Sequence, residues 1–147
     1  MANKDIVNYY NWITSKNNQY NITAAVDPYS CYDIIQFKGK EDYCYIELKG
    51  RDVLIDEYDD CIVEEEKINK LNQLSQDTGK DVFLVALYYR SNKIAIWKVK
   101  DTSNYEVSNI KCKWHTATDS PKVIKSMVKF PLKDAKTYKF TYDTDIQ

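Results

Sequence analysis

The sequence predicts an α/β fold of the α+β kind, with a mixed central β-sheet flanked by helices. Three observations carry that prediction. Apolar residues recur at helical spacing near the N-terminus and again in the middle of the chain, and alternate at a spacing of two elsewhere. Val82-Phe83-Leu84-Val85-Ala86-Leu87 is a continuous apolar run of strand length, which is how a strand covered on both faces reads. Only three glycines and three prolines punctuate the 147 residues, and no repeat or low-complexity tract divides them, so one domain over residues 1–147 is expected.

The elements follow in chain order. Ile6, Tyr9, Tyr10 and Ile13 predict an amphipathic helix over residues 4–15, ended by Asn17-Asn18. Beyond Asp27-Pro28, residues 33–38 and 43–49 read as two strands, with 39–42 as the hairpin turn between them. An irregular acidic stretch follows. Ile68, Leu71 and Leu74 predict a second helix over 62–76, with Glu64, Glu65 and Glu66 in its first turn and Asp60 as its cap. Residues 81–89 form the central strand and 93–100 another. The last third yields short strands at 111–114 and 136–142, with a weakly periodic segment over 122–128 between them.

Composition excludes several classes. Hydrophobic residues at 44% and charged residues at 29% suit a chain that buries a core, and no apolar stretch has the length of a signal peptide or a membrane span, so a cytoplasmic protein with no membrane partner is expected. Cys31, Cys44, Cys61 and Cys112 are widely spaced with no C-x-x-C, which reads as buried thiols. Cys112 and His115 make a C-x-x-H pair, but zinc needs a second close pair. The formal net charge is -1, while residues 111–147 hold eight lysines against four aspartates. That end offers cations to phosphate or to solvent.

Chemistry concentrates on the second strand. Alternation puts Tyr43, Tyr45, Glu47 and Lys49 on one face and Cys44, Ile46 and Leu48 on the other, with one face expected to be core. Glu47 and Lys49 then stand roughly 6.5 to 7 Å apart along the strand. Asp33 opens the preceding strand, so hairpin pairing brings it close to Glu47 or Lys49. Two carboxylates at ~4 Å repel by about 1 to 4 kcal/mol, and a hard cation, magnesium or manganese, offsets that. The competing reading is an ordinary surface ion pair worth under about 1 kcal/mol.

Asp33, a short hairpin, then Glu47-Leu48-Lys49, followed by a helix and two strands, resembles the PD-(D/E)XK nuclease superfamily. The match covers residues 30 to 100. The resemblance implies a restriction-endonuclease-like core in which Asp33, Glu47 and the Leu48 carbonyl bind magnesium (or manganese) while Lys49 assists attack by water. Arg51, Tyr58, Lys67 and the segment from Trp114 to Lys125 look like small members from bacteria and phages, where an extra residue on the helix corresponds to Glu64 or Lys67. Two departures stand out. Tyr32 replaces the proline that usually precedes the aspartate, and the first helix has Asp5, Asn8 and Asn11 where several subfamilies carry a glutamate.

The expectation is therefore a metal-dependent nuclease, endo- or exo-acting, in the cytoplasm of a bacterial or phage-infected cell. Asp33, Glu47 and Lys49 would be catalytic. Lys67, Lys111, Lys113, Lys122 and Lys125 would contact substrate phosphates and Trp114 would stack on bases, with DNA favoured over RNA. A homodimer is part of the expectation. The alternative is a catalytically inactive module of the same fold that binds nucleic acid or a protein partner. Hydrolysis by a serine or cysteine nucleophile lacks support, because His115 is the only histidine and no G-x-S-x-G occurs. The acidic stretch 52–60 lacks the glycine and ligand spacing of an EF-hand.

Overall fold

The computed structural model describes residues 3–113 and 122–142. Helix α1 (Lys4–Lys16) starts at Asn3, whose side chain accepts the Asp5 backbone N–H at 2.7 Å, and it buries Asn8, Tyr9, Trp12 and Ile13. Strands β1 (Tyr20–Ala24), β2 (Ile34–Lys38) and β3 (Tyr43–Arg51) form an antiparallel meander. Gly39, at φ 90°, supplies the left-handed turn residue between β2 and β3.

Strand β4 (Asp60–Glu64) leads directly into α2 (Glu65–Thr78), which Gly79 ends in the left-handed conformation. Strand β5 (Val82–Tyr88) returns parallel to β3 and pairs antiparallel with β6 (Lys93–Lys98). Three further strands complete the fold: β7 (Val107–Lys113), β8 (Lys122–Pro131) and β9 (Lys136–Lys139). The main sheet has the order β1-β2-β3-β5-β6-β9, and a smaller antiparallel sheet has the order β4-β8-β7. One parallel pair in an otherwise antiparallel sheet makes it the mixed sheet that was expected.

Both faces of the main sheet are covered. On one side Tyr9, Trp12 and Ile13 of α1 pack with Ile46, Leu48, Val85 and Leu87. On the other, Ile68 and Leu71 of α2, together with Val63, Val128 and Phe130 of the small sheet, pack with Tyr45, Leu84, Ala86, Tyr88 and Trp97. Each fully buried leucine there contributes about 1.5–3 kcal/mol relative to exposure. Trp97 donates its indole N–H to the Pro131 carbonyl at 2.8 Å, tying the sheets together through a polar group that would otherwise be stranded in the core.

Several expectations need correction. The second helix begins at Glu65, not near residue 62, and Asp60 is a strand residue rather than its cap. Residues 61 and 63 alternate inward and pair with Phe130 and Val128, so the period-2 signal of five residues lay hidden at the front of a helical one. Residues 122–128, weakly periodic in sequence, belong to a ten-residue strand, because β4 and β7 supply hydrogen-bonding partners on both sides. Strand β1 was not anticipated. The strand read at 93–100 ends at Lys98, and the final strand stops at Lys139. The expectation that only one face of residues 43–49 is core also fails, since Tyr45, Ile46, Glu47 and Leu48 are all buried.

Candidate active site

The hairpin register decides where Asp33 sits. Ile34 pairs with Ile46, so the next position outward sets Asp33 opposite Glu47, and the Asp33 N–H donates to the Ile46 carbonyl at 2.9 Å. Strand β2 begins at Ile34, one residue after Asp33 rather than with it, which leaves the Leu48 N–H without a ladder partner. The Asp33 carboxylate takes that place, accepting the Leu48 N–H through Oδ2 at 2.7 Å. Main-chain groups of Ile46 and Leu48 thus face the β2 side, so the Leu48 carbonyl opens toward the space that Asp33 occupies.

Glu47 projects from the opposite face of β3 to Leu48, toward α2, and is only 2% exposed. Lys67 of α2 donates to Glu47 Oε1 at 3.0 Å, and the Lys49 ammonium stands 3.6 Å from the same oxygen. Asp33, Glu47, Leu48, Lys49 and Lys67 are therefore brought together, by one strand end, one strand interior and one helix.

The electrostatics follow from burial. Desolvation pushes the Glu47 carboxyl above its ordinary range and the Asp33 charge adds to this, while Lys67 and Lys49 oppose it. Burial likewise lowers the Lys49 ammonium, aided by the neighbouring charge of Lys67. Burial would also lower Lys67, yet attraction to Glu47 and Asp33 outweighs it and leaves that ammonium raised.

The oxygens able to hold a hard cation are the Asp33 and Glu47 carboxylates and the Leu48 carbonyl. Among the described residues no group of three or more His, Cys, Asp or Glu side chains converges as a complete metal cage. Two carboxylates and a carbonyl suit magnesium better than calcium or zinc, because magnesium keeps several waters and relies on one or two carboxylates plus substrate phosphate oxygens. The donor set fits.

Other candidate residues lie elsewhere. Glu64 sits at the junction of β4 and α2 and accepts from Lys125 of β8 at 2.7 Å. The Lys125 hydrogen bond holds its carboxyl below the usual range, with the more distant charges of Lys49 and Lys67 contributing in the same direction. Lys111 and Lys122 are exposed on β7 and β8, and Lys113 closes β7. Trp114 and His115 fall outside the described residues. Arg51 donates to the Ile62 carbonyl at 2.7 Å and contacts Cys61 Sγ at 3.4 Å, joining the two sheets. On α1, Asp5 bonds the Tyr89 hydroxyl and lies against Gly50, where a Cβ would meet its carboxylate at 2.8 Å.

Of the four cysteines read as buried thiols, Cys61 is buried, while Cys31, Cys44 and Cys112 are half-buried.

No family model matches the chain, and no curated protein matches it. Among solved structures, the chain is similar to Archaeoglobus fulgidus Hjc, a Holliday junction resolvase from an archaeal hyperthermophile. Identity is 13%, the alignment covers 88% of this chain and 84% of that one, and the TM-score is 0.53. Likeness at that level of identity speaks to the backbone, and the backbone agrees in its central mixed sheet with two helices. The chain has the restriction-endonuclease-like fold.

Proposed function

We propose that the protein is a metal-dependent nuclease that hydrolyses phosphodiester bonds, with DNA as the favoured substrate. One observation carries the reading: a buried carboxylate, Glu47, lies opposite Asp33, just ahead of β2, with Lys49 and Lys67 within 3.6 Å of it. A buried charge cluster with shifted proton affinities is a common mark of a working site. The preference for DNA leans on the A. fulgidus neighbour, whose described substrate is a DNA junction.

In this reading Asp33, Glu47 and the Leu48 carbonyl hold magnesium or manganese, which when bound supplies Lewis acidity at the phosphate and lowers the pKa of a water. Lys49 orients the attacking water and offsets the charge that develops on the phosphoryl oxygens. Lys67 keeps Glu47 ionised and aimed. Lys111, Lys122 and Lys125 contact the strand through phosphates, without reading sequence.

The test is incubation with single-stranded and duplex DNA, with RNA and with a four-way junction, in magnesium, in manganese and in EDTA. Cutting should require the metal and fall by about 10²–10³ in Lys49→Ala. Cutting in EDTA, or undiminished cutting by Lys49→Ala, would sink the reading. Melting gives a second check, since a metal at 100 times its dissociation constant adds about 2.7 kcal/mol of stability. That increment should vanish in Asp33→Asn.

A further inference from the structure

Glu47, Lys49 and Arg51 share one face of β3, and Lys49 and Arg51 pair in parallel register with Ala86 and Tyr88 of β5. One strand repeat beyond Lys49, roughly 6.5 to 7 Å along β3, this face opens into a cavity of about 210 Å³. Its walls include Arg51, Val53, Leu54, Tyr58, Cys61 and Tyr88. The cavity falls below the ~300–1,000 Å³ of sites for drug-sized ligands, which matches a single planar ring system.

The lining is largely apolar, with the Asp60 carboxylate, the Arg51 guanidinium and two tyrosine hydroxyls as its polar groups. The Tyr88 side chain is buried, and the Arg51 guanidinium is anchored by the Ile62 carbonyl at 2.7 Å. Leu54 and Tyr58, on the loop joining β3 to β4, line the cavity and are exposed. The Ile55 N–H donates to Ser91 Oγ at 2.8 Å and pins that loop in place. Arg51 and Lys49 are close enough for the guanidinium to disfavour the ammonium charge, so the cavity and the candidate site share one electrostatic neighbourhood. A ligand seated here that also reaches Lys49 must be flat, largely apolar at its faces and joined to an anion.

We infer that the cavity takes one base of the substrate strand, unstacked beside the phosphodiester to be cut, so that the bound nucleotide is a nucleobase in the pocket with its phosphate toward Lys49. Tyr58 closes over the ring, and the Arg51 guanidinium faces its polar edge. This assignment rests on the nuclease reading. It adds a selection that phosphate contacts cannot make, because pulling a base from a stack costs a few kcal/mol and least where the strand is already single or unpaired.

The test places 2-aminopurine, which brightens on unstacking, at successive positions of a labelled DNA strand, with calcium in place of magnesium. Anisotropy of an end label reports binding. One position should brighten at least about fivefold on the wild-type protein. With Leu54→Trp, which plugs the cavity from a half-exposed position, the brightening should fall to that of the free strand while anisotropy still reports a bound strand. Tyr58→Ala, in an exposed loop residue, should weaken it as well. A bound strand with no bright position, or brightening that survives both variants, overturns the cavity assignment and leaves the nuclease reading standing. A strand that is neither bound nor cut overturns both.

Discussion

The two sheets carry charged clusters that differ in burial rather than in distance. On the small sheet the Lys125–Glu64 pair is the shorter, at 2.7 Å, yet the Glu64 side chain is 45% exposed. On the main sheet Lys67 and Lys49 approach Glu47 at 3.0 and 3.6 Å, around a carboxylate only 3% exposed. A Coulomb pair at 4 Å is worth about 1 kcal/mol in water-like surroundings and about 4 kcal/mol near a protein surface with an effective dielectric of 20. Desolvation works against the inner pair. Its carboxyl is pushed up while that of Glu64 is pulled down, so the outer pair favours the folded state, whereas the Glu47 charge is held at a cost that attraction to Lys67 only partly offsets.

The largest expected effect sharpens that contrast by leaving every charged group in place. Leu84→Ala removes a fully buried side chain under both Glu47 and α2, and it should cost about 2–5 kcal/mol in urea unfolding. Activity at a temperature where the variant remains folded should persist. Glu47→Gln should reverse that balance. It removes a desolvated carboxylate but leaves Lys67 and Lys49 side by side without their shared partner, so stability at pH 7 should fall, by less than in Leu84→Ala, whereas metal-dependent cleavage should fall more than about 100-fold. Unchanged cleavage in Glu47→Gln, or a loss of stability as large as that of Leu84→Ala, would break the comparison.

The sequence made the inner cluster legible because its geometry is local. Strand alternation sets Glu47 and Lys49 on one face, and a four-residue hairpin brings Asp33 opposite Glu47, so period and turn length suffice. The contact of Lys67 with Glu47 is not local. It depends on the crossover through β4 and α2 that makes β3 and β5 parallel, and no pattern within residues 60–70 encodes it. The small sheet was illegible for a related reason. Residues 60–64 and 122–131 pair across nearly half the chain, each too short or too mixed in pattern to declare itself, and β4 runs straight into a helix. Burial of Glu47 was hidden as well, because Tyr43, Tyr45, Glu47 and Lys49 read as a half-polar face that α2 covers only in three dimensions.

The smallest expected effect lies in the outer pair and has a definite sign with pH. Glu64 ionises below its unfolded value of 4.5 in the folded protein, because Lys125 bonds its charged form. The folded state therefore binds fewer protons than the unfolded chain through that range, so the contribution is present above pH 4.5 and is lost as pH falls through the folded value. Screening at a carboxylate this exposed keeps it under about 1 kcal/mol. Glu64→Gln should lower stability by that amount at pH 7 and by nothing at pH 2, as read by urea titrations at the two values. Added salt should shrink the pH 7 difference further. A loss at pH 7 of several kcal/mol, insensitive to salt, would place Glu64 with Glu47 among the desolvated charges and erase the distinction between the two sheets.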